Sequence, residues 1–551
     1  MDKIYDYIVI GSGFGGSVSA MRLAEKGYDV LILEKGREYK TVDFPKTNWE
    51  FRKYFWIPTL RWFGIQKLTF FKEVFIISGV GVGGGSLVYA NSHMFPSDEF
   101  FNNPIWANLT PEKGAGGNSN SQDWKSVLAP FYEKARFMLG TVKNRIFNRE
   151  DELLKEVAQD MGCETSFEGV SVGVYFGDTE KEVDPYFKGL GPIRKGCTEC
   201  AGCMVGCSEN AKNTLDKNYL YFAKKFGAEL ESERQVDVIE HEDGCYRVHT
   251  YSSTSWFKGR KKVYLSKNIV ISGGVLGTMD LLLKQKFKYK TLTGLSGTLG
   301  DNIRTNSESL CAVTSPDEKL NHGIAITSVF NPDKNTHIEV VKYPDKSNVM
   351  RAFATLATGP GAPIVRVVKL FYQAVRHPLR FFKHLFNRNW ARNSVIFLVM
   401  QNLDNAMKMK YKRFPFGRTS IWNKRSNRVP SYIDIGQEVM HRYAKKINGV
   451  AQNAVTEVLF NMSSTAHILG GCPMGETEEN GVVNNKFEVF NYPGMYILDG
   501  SIMPCNLGVN PSLTITALSE YAMSYIPAKK GNTNVPLDEQ LVTVREDGNM
   551  S

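Results

Sequence analysis

Four cysteines in the middle of the chain have a spacing that could bind a metal cluster, Cys197-x2-Cys200-x2-Cys203-x3-Cys207. Thiolates two residues apart can turn inward from one short loop, and glycines within the run give its backbone freedom. The spacing predicts a four-iron four-sulfur cluster. Serine follows Cys207 where bacterial ferredoxins have proline, so zinc and unliganded thiols stay open as alternatives. The first three cysteines could also recruit a distant thiol, such as Cys245, Cys311 or Cys505.

A second chemical motif is the glycine pattern GxGxxG, formed by Gly11, Gly13 and Gly16. It stands between a strand at residues 5–10 and a helix at residues 15–26, which is the context that dinucleotide binding requires. Glu34 ends the next strand, where a carboxylate can accept the ribose hydroxyl. The alternative is a glycine turn without a ligand, and the pattern alone does not separate FAD from NAD.

A second glycine-dense loop, residues 79–86, has the sequence GVGVGGGS. Such a loop allows a ligand to approach the backbone closely, although glycine runs also serve as packing turns. Together the two loops favour a large, buried cofactor.

With these loops, the chain resembles the glucose-methanol-choline (GMC) oxidoreductases over nearly its whole length, and within them the cholesterol-oxidase-like branch. The matching stretches occur in the family's order: GSGFGGS, GVGVGGGSLVYAN (79–91), residues 273–278, HILGGCPMG (467–475) and LDGSIMPCNLGVNPSLTITALSE (498–520).

The resemblance implies an FAD-binding site. Its implied residues are Gly11, Ser12, Gly13, Phe14, Gly15, Gly16, Glu34, Gly79, Gly83, Gly84, Gly85, Ser86, Asn91, Val236, Gly274, Asp499, Gly500 and Asn510.

The resemblance also implies a catalytic pair, His467 and Asn510, that oxidises an alcohol to a ketone on a sterol-like substrate. An imidazole can accept the hydroxyl proton, and an amide can orient the oxygen without charge. Glu339 matches more loosely a carboxylate that isomerises a double bond. The alternatives are that His467 is a hydrogen-bonded core histidine, that Asn510 caps a helix, and that Glu339 is an exposed strand residue. Oxygen or an electron carrier would reoxidise the flavin.

The 551 residues of the chain exceed what one hydrophobic core usually organises, so we expect two or more domains to position these residues. We expect an α/β fold with a Rossmann-like FAD-binding domain assembled from discontinuous segments, plus a substrate domain with a β-sheet and helices. The expected boundaries are 1–97, 190–310 and 456–527 for the FAD-binding domain, 98–189 for a cap, 311–455 for the substrate domain and 528–551 for a loose polar tail. Residues 395–400 read as a buried strand, and residues 114–121 as a surface insertion.

Between residues 359 and 403 there is no Asp or Glu, while basic residues recur every three or four positions. The segment predicts an amphipathic helix, bent near Pro378. Two interpretations stay open: a helix with its apolar side on the core, or peripheral membrane contact through residues 364–392.

Composition and charge argue against a nucleic-acid-binding protein and a secreted protein. The net charge of +10 is modest for this length and comes without a repeated aromatic-basic surface, so we expect no nucleic-acid partner. The first strand begins close to Met1 without a signal-like segment, which predicts a cytoplasmic protein, with contact to the inner membrane leaflet left open. The rival function is a flavin and iron-sulfur electron-transfer or redox-sensing protein without alcohol turnover.

Overall fold

Apolar strands that alternate with helices build an α/β fold, which a computed structural model describes for residues 3–107, 109, 123–376, 378, 387–414, 417–423 and 428–547. The predicted fold class is confirmed, because a Rossmann-like sheet made from separate chain segments stands beside a second sheet with its own helices.

The strands of the described residues, in chain order, are β1 (Ile4–Ile10), β2 (Val30–Leu33), β3 (Trp56–Ile57), β4 (Trp62–Phe63), β5 (Gln66–Phe70), β6 (Val74–Gly79), β7 (Val142–Lys143), β8 (Glu168–Gly169), β9 (Ser171–Val172), β10 (Glu229–Glu231), β11 (Arg234–Glu242), β12 (Cys245–Ser252), β13 (Lys262–Ile271), β14 (Ser309–Thr314), β15 (Ile326–Asp333), β16 (Thr336–Val341), β17 (Ala354–Leu356), β18 (Ser394–Gln401), β19 (Met407–Lys412), β20 (Arg418–Asn423), β21 (Val450–Ala454), β22 (Ser463–Thr465) and β23 (Met495–Ile497).

The α-helices of the same residues are α1 (Phe14–Glu25), α2 (Phe51–Tyr54), α3 (Asp98–Phe101), α4 (Pro104–Ala107), α5 (Trp124–Met138), α6 (Arg149–Asp160), α7 (Tyr219–Lys225), α8 (Gly274–Lys284), α9 (Pro363–Arg376), α10 (Trp390–Asn393), α11 (Asp434–Lys446), α12 (Val455–Phe460), α13 (Ser512–Ser524) and α14 (Leu537–Asp547).

The first sheet contains the βαβ unit expected near residue 5. Its strand order is β10-β2-β1-β13-β12-β11, and β23 also pairs with β13. Strands β2, β1, β13 and β23 run parallel, and β1 and β2 are buried along nearly their whole length. The carboxyl ends of parallel strands meet at one edge, where ligands of such sheets bind. Three distant chain segments therefore contribute to that edge.

A buried ion pair fastens these segments to one another. Arg22 of α1 donates two hydrogen bonds to Glu520 of α13, at 2.8 and 2.9 Å, and Tyr219 of α7 donates to the same carboxylate at 2.8 Å. Arg22 and Glu520 are both buried. A buried charge is tolerated only when it is paired and hydrogen-bonded, so this pair favours the arrangement in which the three segments meet.

The second sheet is antiparallel, with the order β17-β21-β14-β18-β16-β15-β8. The apolar run at residues 395–400 is the central strand β18, as expected. Helices α6 and α11 contribute Leu153, Leu154, Val439 and Tyr443 to one core with this sheet.

A small third sheet, β22-β6-β5, links the two large ones. Strand β22 is parallel to β6, with Ser463 opposite Val74 and Thr465 opposite Ile76. Strand β6 runs into the second glycine loop, and β22 runs toward His467. Because parallel neighbours end at the same edge, the loop and the histidine lie on one side of this sheet.

One expectation about a surface segment is wrong, and one of two open interpretations of another is excluded. The polar tail is not loose, because α14 forms there with Leu537 and Leu541 buried. Helix α9 does not turn its apolar side to the core, since Ile364 and Phe371 are largely exposed and Arg366 is buried. The insertion at 114–121 and the predicted helix continuation at 379–386 lie outside the described residues. Within the described ranges, no helix combines the length and apolar character needed to cross a bilayer.

Candidate active site

The first glycine loop is shaped by contacts among the three segments of the first sheet. Gly11 has φ +99°, and a Cβ there would lie 2.2 Å from the carbonyl oxygen of Ser272. A Cβ on Gly15 would lie 1.7 Å from the carbonyl oxygen of Leu498. At Gly13, by contrast, an added Cβ meets no atom within 4 Å. Gly11 and Gly15 therefore serve packing, whereas Gly13 borders open space at the start of α1, where the helix N-terminus favours an anion.

Glu34 lies at the end of β2, as the glycine motif predicts. It is buried and accepts hydrogen bonds from the Ser12 amide at 3.1 Å, the Ser12 hydroxyl at 2.8 Å and the Gly36 amide at 2.8 Å. The carboxylate still has unused lone pairs for a hydroxyl donor. Val236 is buried close by, since the amide of Arg234 donates to the Glu34 carbonyl at 2.7 Å.

The second glycine loop lies against the first. A Cβ on Gly84, which has φ +53°, would lie 2.7 Å from the Cα of Gly13. The Gly83 amide donates to the Ser12 hydroxyl at 3.1 Å, and the Ser86 hydroxyl donates back to the Gly83 carbonyl at 2.7 Å. The structure thus brings residues 79–86 and 11–16 into one binding edge.

Asn91 follows the second loop and is fully buried at φ +69°. Neither its amide oxygen nor its amide nitrogen has a hydrogen-bond partner within the described part of the chain. Leaving a buried polar group unpaired costs about 1–3 kcal/mol, so this side chain is suited to a polar ligand.

Asp499 and Gly500 complete the edge from the third segment. The amide of Leu498 donates to Ile271 at 3.0 Å, which places Asp499 beside the start of α8 at Gly274. Asp499 accepts from the Thr278 hydroxyl and from the Ser501 amide. Burial raises the pKa of Asp499, although these hydrogen bonds oppose the shift. This edge fits a dinucleotide such as FAD. It combines two glycine loops in contact, the N-terminus of α1, the Glu34 carboxylate as an acceptor for a ribose hydroxyl, and the buried amide of Asn91.

His467 follows β22, and its Nδ1 atom forms a hydrogen bond with Glu308. Glu308 is fully buried and also accepts from the Ala466 amide at 2.8 Å. Burial by itself lowers the pKa of His467, but the charge and hydrogen bond of Glu308 and the charge of Glu339 outweigh it, so the pKa is raised. With Nδ1 bound to Glu308, Nε2 is the ring atom left for a substrate.

Asn510 and Glu339 form the second half of the cluster. The Asn510 amide donates to Glu339 at 3.3 Å, while the Asn510 oxygen has no partner among the described residues. Glu339 is fully buried in β16, which overturns the alternative of an exposed strand residue. His337, two residues earlier, lies 3.2 Å from Glu339 and 3.0 Å from Asn331.

One short segment, residues 304–308, supports both halves. Arg304 and Leu469 exchange two backbone hydrogen bonds, at 2.8 and 2.9 Å, which aligns the segment with the chain around His467. The Asn306 side chain donates to the Val509 carbonyl at 3.0 Å and accepts from the Gly508 amide at 2.8 Å, which fixes the loop before Asn510.

Sequence reasoning missed Glu308 and His337. Glu308 stands in the stretch TNSES, which belongs to no motif, and its only signal is an acidic residue directly before a buried strand. His337 had a clearer signal, since strand periodicity places it on the same face as Glu339.

The four cysteines line one small cavity together with Val174, Ile324 and Lys212. Its volume is about 10 Å³, room for about one water molecule. No group of three or more His, Cys, Asp or Glu side chains among the described residues is arranged to hold a metal ion. The donors are of the right type, but the cavity does not fit a four-iron cluster, and the structure supports neither the predicted cluster nor zinc.

The cysteine loop instead packs behind the second glycine loop. Lys212 is buried and donates to the carbonyls of Cys203 and Leu87, at 2.7 and 3.0 Å. Burial lowers the pKa of Lys212 to about 8. Cys203 belongs to an apolar cluster with Val174 and Met400. The described contacts of this loop are those of a structural support.

Fold and site together define an α/β oxidoreductase whose dinucleotide edge adjoins a buried histidine and amide. Residues 419–519 match the GMC oxidoreductase family, and residues 9–39 match the NAD(P)-binding Rossmann-like domain. Two similar relatives are cholesterol oxidases. That of Acinetobacter baumannii is 40% identical over 98% of this chain and 96% of the relative, and that of Mycobacterium tuberculosis H37Rv is 41% identical over 97% and 93%.

The chain belongs to the GMC oxidoreductase family, which confirms the resemblance and supports FAD as its cofactor. A solved structure, pyridoxine 4-oxidase from Mesorbium loti, has the same fold, with a TM-score of 0.61, 13% identity and coverage of 95% of this chain and 99% of that one.

A pair of glycine variants separates packing from cofactor binding. We expect Gly15→Ala to destabilise the fold by about 1–3 kcal/mol or more, because the new Cβ meets the Leu498 carbonyl. Gly13→Ala should stay within about 1 kcal/mol of the parent but bind FAD about tenfold more weakly. Thermal unfolding and FAD titration of the apoprotein measure the two effects. Parental FAD affinity in Gly13→Ala would contradict the role assigned to the open space.

The small volume of the cysteine-lined cavity leads us to predict a low metal content. Because the cavity has room for about one water molecule, we expect iron, acid-labile sulfide and zinc far below one equivalent in protein purified anaerobically. Cys200→Ser should leave the absorption spectrum unchanged. About four irons and four sulfides per chain, the composition of the cluster, would show that the loop opens to bind it.

Proposed function

We propose that this enzyme oxidises the hydroxyl group of a sterol to a ketone, with His467 as the base and Asn510 as the orienting group. The observation that carries the proposal is the pairing of His467 with buried Glu308, next to a glycine-lined dinucleotide edge. The cholesterol oxidases that are 40–41% identical over nearly the whole chain support the same substrate class.

His467 acts at the hydroxyl proton. Glu308 accepts a hydrogen bond from Nδ1–H, which leaves the Nε2 lone pair to take the proton of the substrate hydroxyl. The charge of Glu308 also stabilises the imidazolium that results, as a buried acid does for a catalytic histidine in other enzymes. FAD, when bound, supplies the acceptor for the hydride that leaves the carbon bearing this hydroxyl group. Oxygen or an electron carrier would take up the electrons from the bound FAD.

Asn510 and Glu339 act on the other side of the substrate. The Asn510 oxygen, which has no partner among the described residues, can accept a hydrogen bond, while its nitrogen is held by Glu339. The amide therefore has a fixed orientation. We assign Glu339 the isomerisation step: it takes a proton from the carbon between the new carbonyl and the double bond, and returns it at the far end of that double bond.

The surroundings of Glu339 favour a rigid apolar substrate. On strand geometry, Val341 shares a sheet face with Glu339, and Leu398 and Met400 lie on the same face of the neighbouring strand. These three side chains belong to one packed apolar cluster. A sterol skeleton suits such a face, whereas a sugar would leave its hydroxyls unpaired there.

The rival, an electron-transfer or sensing protein without alcohol turnover, needs neither a base nor an orienting amide. The His467–Glu308 pair and the Asn510–Glu339 pair therefore favour turnover. No step of the proposed reaction passes through the cysteine run.

Replacement of the base tests the proposal directly. We expect His467→Ala to keep FAD but to reduce it with a 3-hydroxysterol on the order of 100- to 10,000-fold more slowly, since general-base catalysis typically contributes that much. Stopped-flow absorbance of the flavin measures the rate. His441→Ala, on the exposed side of α11, is the matched control. Near-parental reduction by His467→Ala would assign the base elsewhere.

Glu308 gives a pH signature. Because Glu308 raises the pKa of His467 above its ordinary value of 6.5, the base is active only at pH values above that raised pKa. Glu308→Gln removes the charge, so the acid limb of kcat/KM should move to lower pH while the plateau rate falls. A pH profile of steady-state oxidation measures the shift. An acid limb at the same pH in both proteins would reject Glu308 as the positioning residue.

A further inference from the structure

Helix α9 presents an apolar stripe to solvent. Its members are spaced three and four residues apart and so share one helix face. They are Ile364, Val368, Phe371, Tyr372 and Val375, with exposed fractions of 79, 61, 67, 59 and 80%. Large contiguous apolar patches are uncommon on soluble proteins and mark an interaction surface.

The helix cannot turn to bury this stripe, because its opposite side holds a buried ion pair. Arg366 pairs with Glu457 of α12, and both side chains are almost wholly inaccessible. Arg366 also donates to the Glu457 carbonyl at 3.3 Å and to the Thr358 hydroxyl at 3.2 Å. Rotation would break these bonds and leave a buried carboxylate unpaired, which is strongly unfavourable. The stripe is therefore held outward by the fold.

The helix that holds Arg366 also leads along the chain to the proposed catalytic base. Helix α12, which receives Arg366, exposes Leu459 and Phe460, 37 and 62% accessible. The chain then passes through β22 to His467. The outward stripe thus belongs to the same structural unit as the segment that carries the base.

The charges beside the stripe distinguish between two possible partners, a second copy of this chain and a membrane surface. Lys369 and Arg376 are exposed on α9, and the sequence from residue 359 to 403 contains no Asp or Glu. A second copy docked through the same helix would offer these cations no carboxylate from this segment. An anionic leaflet offers negative headgroups to them and acyl chains to the stripe.

We propose that α9 lies in the headgroup plane of an anionic phospholipid bilayer, with the apolar stripe inserted and Lys369 and Arg376 at the headgroups. At 14 residues, the helix presents about 21 Å of length to the surface. This deepens the proposed function, because a sterol has to be collected from a bilayer. The docking itself needs only phospholipid.

The test uses the full-length FAD-loaded protein and sterol-free vesicles, so that binding is scored without turnover. Co-sedimentation is measured with vesicles of phosphatidylcholine alone and of equal parts phosphatidylcholine and phosphatidylglycerol, at low and high salt. We expect binding to the anionic vesicles that weakens as salt rises. Oxidation of a detergent-dispersed sterol is measured separately, so that loss of docking and failure of the proposed reaction give different results.

The combined variant Val368→Ser, Phe371→Ser and Val375→Ser should bind anionic vesicles about tenfold or more weakly, because it removes three apolar side chains from the interface. Its rate on detergent-dispersed sterol should match the parent. The control replaces three exposed apolar residues elsewhere, Phe257→Ser, Val263→Ser and Val542→Ser, and should bind like the parent.

A charge variant tests the headgroup contact. Lys369→Glu with Arg376→Glu should lose the preference for anionic vesicles, whereas Lys181→Glu with Lys530→Glu should keep it. The proposal is overturned if the parent sediments with neither vesicle type or if the stripe variant binds as tightly as the parent. It is also overturned if sedimentation equilibrium shows a dimer that the stripe variant dissociates, because a second copy would then cover the face.

Discussion

The buried pair of Arg22 and Glu520, with Tyr219 on the same carboxylate, is the interaction on which the site depends. Separating α1 from α13 would leave the buried Glu520 carboxylate without Arg22, although Arg22 would keep Glu25 of its own helix at 2.9 Å, so the pair favours the arrangement in which α1, α7 and α13 meet. That arrangement presses Gly15 against the carbonyl of Leu498 and sets β1, β13 and β23 side by side. The residues expected to hold FAD come from all three segments, and the ion pair supports the strand pairing that brings them to one edge.

A second constraint is electrostatic. Glu308 and Glu339 are fully buried carboxylates: Glu308 forms a hydrogen bond with His467 and Glu339 accepts one from Asn510, while Asn306 bonds to the loop before Asn510. Each carboxylate is hydrogen-bonded, as a buried polar group has to be. Two buried acidic side chains thus hold His467 and Asn510, and their charges raise the pKa of the histidine, while Val341, Leu398 and Met400 form an apolar cluster on the same sheet face as Glu339.

The sequence predicted the parts whose chemistry is local. The glycine spacing located both loops, and the position of an acidic residue at the end of β2 identified Glu34. Both signals work because a turn and a strand end have fixed geometry. Glu308 could not be found this way, since its role comes from a strand pairing between segments about 160 positions apart. Helical spacing found the two faces of α9 but not which face is inward, because that depends on Glu457 of another helix. Cysteine spacing gave the donor types but not the volume between them. The catalytic roles and the domain boundaries stay predictions.

The pairing of β13 with both β1 and β23 has a consequence for synthesis on the ribosome. Strand β1 and helix α1 leave the ribosome early, but β23 and α13 follow about 470 residues later. At about 5–20 residues per second, this delay is roughly half a minute to a minute and a half. During that time the antiparallel sheet, made mainly from residues 309–454, has all but its short edge strand β8 from one continuous stretch, whereas the nascent βαβ unit keeps apolar surface uncovered. The first sheet is therefore completed after the antiparallel sheet, and its early βαβ unit needs protection from aggregation until β23 and α13 have been synthesised.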